Sequence, residues 1–214
     1  STVNAATVTI VDTAATKTVD FQDNLTVTTG MTVTGTTNAY NVALRGTTNS
    51  IAGTTTFGNT GTLALGDGGD ALAFTGGVVA TAPSSKTVNG TVSAAGIGVI
   101  NLGTTAVSVA GNSTIGGTST GQITLFDTTL ADGVTLTLGA GAATPISATT
   151  IDNTTTANSS SLTINTAGIA TISGAVGGTQ PLNTLTVTQS DGTVFASTVN
   201  AATVTIVDTA ATKT

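Results

Sequence analysis

Short runs in which apolar residues alternate with threonine, serine or alanine recur along most of the chain. The run at residues 134–138 reads Val-Thr-Leu-Thr-Leu, and similar runs occupy residues 7–10, 25–28, 41–44, 62–65, 99–102, 122–126, 161–164, 169–172, 185–188 and 203–206. A period of two is typical of a β-strand with one buried face. Turn-forming residues lie between the runs, as at 66–70, 89–90, 132–133 and 191–192. The pattern predicts many short strands joined by polar turns.

The alternation also predicts which side chains point into the core, because successive residues of a strand face opposite sides. Threonines at residues 7, 9, 26, 28, 135, 137, 186 and 188 are expected to face outward. The predicted inward residues are Val8, Ile10, Leu25, Val27, Val42, Leu44, Leu63, Leu65, Val99, Leu136, Leu138, Leu162, Ile164, Leu185, Val187, Val204 and Ile206.

One segment of 18 residues occurs twice without change. Residues 1–18 and residues 197–214 both read STVNAATVTIVDTAATKT. We interpret the offset of 196 residues as the length of a tandem unit, so that residues 1–196 form one unit and residues 197–214 begin the next. Neighbouring copies of this unit, placed end to end in one polypeptide or as separate subunits, are the first partners that the sequence predicts.

Two all-β architectures are compatible with this pattern. A parallel β-helix, or β-solenoid, stacks coils of about 18–25 residues, whereas tandem β-sandwich domains need about seven strands per roughly 100 residues. A step of 18 residues separates the runs at 7–10 and 25–28, and again those at 185–188 and 203–206. This step and an aromatic content of 3% favour the solenoid. We expect about ten coils per unit and an axial length of roughly 48 Å.

The amino-acid composition argues against several other classes of protein. Glu is absent and Lys, Arg and Gln are scarce, which argues against helices, and a hydrophobic content of 39% argues against disorder. Four basic residues and a net charge of −6 form no basic patch, so nucleic acid is not an expected partner. No apolar run is long enough to span a bilayer. The 54 threonines, together with Asn, Ser and Gly, favour an extracellular location.

Residues 168–178 (GIATISGAVGG) and 182–188 (LNTLTVT) resemble the repeat regions of large bacterial surface proteins. The resemblance is to autotransporter passengers and filamentous-haemagglutinin-like adhesins, and it extends over nearly the whole chain as composition and spacing. It implies secretion to the bacterial cell surface, a right-handed parallel β-helix, and a role in adhesion or in a surface layer. It carries no functional residues over to this sequence.

Residue types that carry catalytic chemistry are few. His and Cys are absent, which excludes the usual catalytic triad and a histidine or thiolate metal site. Without Glu, carboxylate catalysis would need paired Asp residues. The sequence instead predicts that the protein is not an enzyme, and that its acidic residues form turns. These singly placed residues include Asp12, Asp20, Asp23, Asp127, Asp132 and Asp152.

One motif points to a cation. The segment from Gly66 to Leu72 matches the core of the calcium-binding nonapeptide, G-x-G-x-D-x-L. Calcium requires six to eight oxygen ligands, which successive turns supply in that motif, and this chain carries one copy. Calcium is therefore the one cofactor that we consider, with a glycine-rich turn as the alternative. The candidate ligand segment comprises Gly66, Asp67, Gly68 and Asp70.

The sequence predicts a structural extracellular fibre, stalk or surface coat. The alternative is an adhesin that presents a face to host or cell-surface glycans, for which an ordered patch of Asp, Asn and Tyr40 would be evidence. A third function, ice binding, requires threonine ranks on one flat face. Thr-x-Thr pairs begin at residues 7, 26, 32, 135 and 186, and the long gaps between them argue against such ranks.

Overall fold

The chain folds into a parallel β-solenoid. The structure, a computed structural model, describes residues 1–35 and 37–207, and within them it contains 22 strands and no helix. Every strand pairing is parallel. In chain order the strands are β1 (Val3–Ile10), β2 (Thr18–Phe21), β3 (Leu25–Val33), β4 (Asn41–Leu44), β5 (Thr48–Ile51), β6 (Thr55–Phe57), β7 (Thr62–Phe74), β8 (Val78–Val79), β9 (Ser85–Ala94), β10 (Ile100–Leu102), β11 (Val107–Val109), β12 (Ser113–Gly117), β13 (Ile123–Leu125), β14 (Thr128–Leu130), β15 (Thr135–Leu138), β16 (Ile146–Ala148), β17 (Ile151–Asn153), β18 (Ser161–Asn165), β19 (Ala170–Ile172), β20 (Leu182–Gln189), β21 (Thr193–Phe195) and β22 (Ala201–Ile206).

Each coil contributes one segment to each of three stacks, which we call faces I, II and III in chain order. Four strands bend at a corner and so take part in two faces. Face I contains residues 3–5, 25–27, β5, 71–74, 91–94, β12, β15, β18, 184–187 and 203–206. Face II contains 8–10, 31–33, β6, β8, β10, β13, β16, β19 and β21. Face III contains β2, β4, 62–65, 85–88, β11, β14, β17, Val176 and Val199.

The described chain forms about nine coils of variable length. Residue 187 pairs with residue 206, an offset of 19, whereas residue 138 pairs with residue 164, an offset of 26. All three corners vary in length. The corner between faces III and I has two residues at 89–90 and seven at 154–160, and the corner between faces II and III has two at 126–127 and seven at 11–17. The expected 18-residue step is therefore not a coil length. Residues 7–10 pair with 30–33 rather than with 25–28, and the described chain forms about nine coils where ten were expected for residues 1–196.

The core is a continuous column of apolar side chains inside the three faces. Of the predicted inward residues, thirteen are buried and Val8 is partly buried. Val99 is a wrong prediction: strand β10 begins one residue later, so Ile100 is buried in its place. Val204 and Ile206 point in the predicted direction but remain exposed, because no coil among the described residues covers them.

Candidate functional sites on the corners, faces and ends

Side-chain oxygens of Asn and Asp line the corner between faces III and I, which we call the Asx corner (Asn24, Asp70, Asn89, Asn112 and Asp132). Asn24 Oδ1 accepts a hydrogen bond from the backbone N–H of Thr48 at 2.9 Å. Asn112 Oδ1 accepts one from the N–H of Thr135 at 2.8 Å. In both cases the donor lies one coil further along the chain. These amides therefore tie successive coils together where the strand pairing is interrupted.

The candidate calcium segment lies on this corner. Residues 66–69 form a break within β7, and Gly66 and Gly69 both have a positive φ, near 80°. Asp70 is buried, and its Oδ2 accepts a hydrogen bond from the N–H of Asp67 at 2.8 Å. Within the described residues, no group of three acidic, histidine or cysteine side chains is placed to hold a metal. The hydrogen bond to Asp70 stabilises a turn, and calcium binding at Gly66, Asp67, Gly68 and Asp70 stays a prediction.

Asp132 makes the densest set of polar contacts on the Asx corner. Its carboxylate accepts hydrogen bonds from the Thr155 hydroxyl at 2.7 Å, the Thr156 hydroxyl at 2.5 Å, the Thr156 N–H at 3.0 Å and the Ser159 hydroxyl at 3.2 Å. These donors, with those of Thr156 acting most strongly, hold the pKa of the Asp132 carboxyl far below its usual range. Asp132 therefore anchors a seven-residue loop of the corner, residues 154–160. The signal in the sequence was a Thr-Thr-Thr run placed one coil after the aspartate.

We expect Asp132→Ala to release this loop while leaving the solenoid folded, because the hydrogen bonds of Asp132 lie on the surface and not in the core. Limited proteolysis with a protease that cleaves small polar segments should cut residues 154–160 faster in the variant. Asp67→Ala, at an exposed carboxylate on the same corner, serves as the control for the general loss of a surface aspartate. Equal cleavage of the wild-type and Asp132→Ala loops would contradict an anchoring role.

Other acidic side chains also brace neighbouring coils. Asp127 Oδ1 accepts hydrogen bonds from the hydroxyls of Thr149 and Thr150, each at 2.9 Å. Asp152 accepts hydrogen bonds from two backbone N–H groups of residues 179–180. Arg45 Nε lies 3.2 Å from Asp20 Oδ1, one coil away. The turn-forming role predicted for the aspartates is thus refined, because each of these carboxylates also connects two coils.

Tyr40 is not part of an exposed binding patch. Its side chain is fully buried, and its hydroxyl donates a hydrogen bond to the Thr34 carbonyl at 2.6 Å. Burial is the main cause that raises the pKa of Tyr40, and the nearby Asp12 carboxylate adds to it. The expectation that Tyr40 could present itself to a glycan is therefore wrong. Tyr40, one of the few aromatic residues of this chain, fills space in the core.

Threonines form two columns on face I. The threonine column, as we call the longer one, contains one residue from each of six successive coils: Thr91, Thr114, Thr137, Thr163, Thr186 and Thr205. A parallel column two residues earlier contains Thr135, Ser161, Thr184 and Thr203. Neighbours stand about 4.8 Å apart along the axis and about 6.7 Å apart across the strand. Within the described part of the chain, no hydrogen bond to the protein engages these hydroxyls.

These columns correct in part the expectation that the Thr-x-Thr pairs do not align: Thr135, Thr137 and Thr186 align with threonines of neighbouring coils, whereas the pairs that begin at residues 7, 26 and 32 lie outside the two columns. The gap between Thr137 and Thr163, for example, is one coil, so the two side chains are neighbours despite their separation in sequence. Sequence alone could not show this, because coil lengths vary from one pair to the next. Face I therefore presents a regular array of hydroxyl and methyl groups over at least four coils.

The two ends of the solenoid differ in how they leave the core exposed. Ile10 and Ile206 occupy equivalent positions of the duplicated segment, yet Ile10 is 7% exposed and Ile206 is 63% exposed. Ile10 is covered by the coil that contains Val33, whereas Ile206 has only Val187 beneath it. In the described part of the chain, the last coil thus leaves an open apolar surface with unpaired strand edges. Its exposed inward side chains are Val199, Val204 and Ile206.

The described part of the chain contains no helix that could cross a membrane. No family model, no curated protein and no solved structure matches the chain.

Proposed function

We propose that this chain is part of an extracellular structural fibre, stalk or surface coat built from tandem β-solenoid units. The observation that carries the proposal is the exact repeat of residues 1–18 at residues 197–214, in a chain that folds as a parallel β-solenoid. Stacked solenoid units bury each other's ends. A following unit stacked on residues 203–206 would bury Val204 and Ile206 in the same way.

The properties of the fold agree with a load-bearing role. Backbone hydrogen bonds between coils run along the axis. A force that pulls on the two ends of the solenoid is therefore shared by the many hydrogen bonds of the three faces. Polar corners are braced by Asx side chains, and the four basic residues offer few cleavage sites to trypsin-like proteases. Extracellular location, and the bacterial surface in particular, rest on the composition and on the resemblance of residues 168–188 to surface-protein repeats. Glycans as partners rest on that resemblance alone.

The proposal is tested by cryo-electron microscopy of a protein with three tandem 196-residue units. We expect a continuous rod with strands stacked about every 4.8 Å along its axis. The matched variants are Val204→Asp and Thr205→Asp, introduced at each joint. Val204 points into the stack and Thr205 points outward, so Val204→Asp should break or bend the rod at the joints while Thr205→Asp should not. Beads joined by flexible linkers in the unsubstituted protein would contradict the fibre.

A second candidate, ice binding, is favoured by the threonine columns of face I. Regularly spaced hydroxyl and methyl groups on a flat sheet can order a layer of water. We expect Thr163→Lys, in the middle of the threonine column, to abolish thermal hysteresis and ice-crystal shaping. Thr129→Lys, on an outward position of face III, should leave both unchanged. Absence of both effects in the unsubstituted protein would contradict this function.

A further inference from the structure

The duplicated segment occupies two different positions in the solenoid. In its first copy, residues 3–5 lie on face I beneath residues 25–27, and residues 7–10 continue onto face II beneath residues 30–33. In its second copy, Val199 lies on face III above Val176, and residues 203–206 lie on face I above residues 184–187. The same sequence is therefore displaced by one face between its two copies.

Both positions turn the same side chains inward. Val8 pairs with Met31 on the coil above, and its equivalent, Val204, pairs with Leu185 on the coil below. Likewise Ile10 lies beneath Val33, and Ile206 lies above Val187. Val3 lies beneath Leu25, and Val199 lies above Val176. A single copy of the segment, stacked on both sides, would thus complete three apolar columns without placing a polar residue inside.

We infer that the C-terminal end is the docking surface for the N-terminal end of a second unit, joined with an offset of one face. This inference rests on the proposed tandem array. From Val3 the chain returns to face I at residues 25, 48, 71, 91, 114, 135, 161 and 184, which completes eight turns. It then passes through face II and reaches Val199 on face III. One unit is therefore eight and two-thirds turns.

The outward side chains at the joint agree with this offset. Thr205 is the last residue of the threonine column on face I and is equivalent to Thr9. Thr9 lies beneath Thr32, which lies beneath Thr56, on face II. In the array the column would continue from Thr205 into these two residues without interruption. Face II of each unit then extends face I of the unit before it.

The offset determines in which directions around the fibre each unit presents its surface to a partner. Each unit is rotated by one third of a turn relative to its neighbour and advances by roughly 42 Å, and the fourth unit returns to the orientation of the first after roughly 125 Å. A surface feature that occurs once per unit, such as the exposed corner at Ile97, is therefore displayed in three directions around the rod. An array of this kind presents its sites on all sides and not on one adhesive face.

The test uses a four-unit protein in which Ile97→Cys provides one thiol per unit, since the chain has no cysteine of its own. Ile97 is 87% exposed, so a maleimide-linked gold label can reach it without disturbing the core. In cryo-electron micrographs we expect successive labels to be separated by about 42 Å along the rod and by about 120° around it. The unlabelled cysteine-free parent is the control for nonspecific gold.

The outcomes separate the two proposals. Labels in a straight line along a continuous rod would overturn the one-face offset and leave the fibre intact. Labels at variable angles on separate beads would overturn both. As an independent check, the joint variant Thr205→Cys should form a disulfide on oxidation with Thr186→Cys of the same unit and, in a separate protein, with Thr32→Cys of the following unit. If the disulfide with Thr186→Cys forms but the disulfide with Thr32→Cys of the following unit does not, while the rod persists, the shared coil would also be overturned.

Discussion

The variant Lys86→Met is expected to raise the free energy of unfolding by up to about 3 kcal/mol at pH 7. Lys86 lies on face III between Leu63 and Val107, with its side chain pointing into the core and only 1% exposed. Burial of its ammonium group lowers the pKa of Lys86 from 10.5 to about 8. Lowering a pKa by one corresponds to about 1.4 kcal/mol of preference against the charged form.

The single polar contact of Lys86 does not depend on the charge. Its Nζ donates a hydrogen bond to the Thr105 hydroxyl, which in turn donates to the Pro83 carbonyl at 2.6 Å. Methionine has a similar length and fills the same space with a thioether. Thr105 keeps its bond to Pro83 in the variant, so the substitution leaves no buried donor without a partner. Among the described residues no carboxylate forms an ion pair with Lys86, so removal of its buried charge should be favourable.

The pH dependence gives this prediction its signature. Because the folded pKa lies below the unfolded value, the unfolded chain binds more protons between pH 8 and pH 10.5. The free-energy cost of burying the charged Lys86 in the native protein is thus complete below pH 8 and disappears as the pH rises to 10.5. We expect guanidinium unfolding to show a large advantage of Lys86→Met at pH 7 and almost none at pH 10.5. Lys17→Met, at an exposed lysine, should match the wild type at both values. An advantage that is independent of pH would contradict the role assigned to the buried charge.

Lys86 also illustrates why the sequence predicted the architecture better than its details. Alternating runs such as residues 41–44 and 134–138 became strands because period-two patterning and burial agree there. Strand β9 was missed because an inward lysine interrupts its pattern. Inward hydroxyls concealed β6 and β14, where Thr55 and Thr128 are buried. Short strands with one polar core residue do not differ locally from loops, and only their stacked neighbours identify them.

The candidate sites depend on which residues of neighbouring coils lie side by side, and this register could not be predicted from the sequence. Asp132 and its threonine donors, or Thr137 and Thr163, are separated by one coil, and coil lengths differ from one to the next. If every coil had the same length, these pairs could have been predicted from their spacing in the sequence. The calcium motif is the opposite case, because Gly66–Asp70 is continuous in sequence and its geometry is local. Long-range partners in this fold become predictable only after the corner lengths are known.

The second large effect is expected at Gly90, where two coils lie close together on the Asx corner. Gly90 has a φ of 136°, and a Cβ added there would lie 2.3 Å from the carbonyl oxygen of Asp70 and 2.6 Å from its nitrogen. Both atoms belong to the backbone of the preceding coil and cannot move without separating the strands. Gly90→Ala should therefore cost on the order of 3 kcal/mol or more, because backbone strain and a steric clash act together.

Alanine variants at two other glycines distinguish the effect of backbone strain from that of the steric clash. Gly133 also has a positive φ, 79°, but a Cβ there meets nothing within 4 Å, so Gly133→Ala should cost about 1 kcal/mol from backbone strain alone. Gly68 has neither a positive φ nor a close neighbour, and Gly68→Ala should change stability little. Guanidinium unfolding of the three variants tests the order. If Gly90→Ala costs no more than Gly133→Ala, close contact between coils is not what requires glycine at this corner. If the predicted order holds, close contact between the backbones of two coils is what requires glycine at position 90.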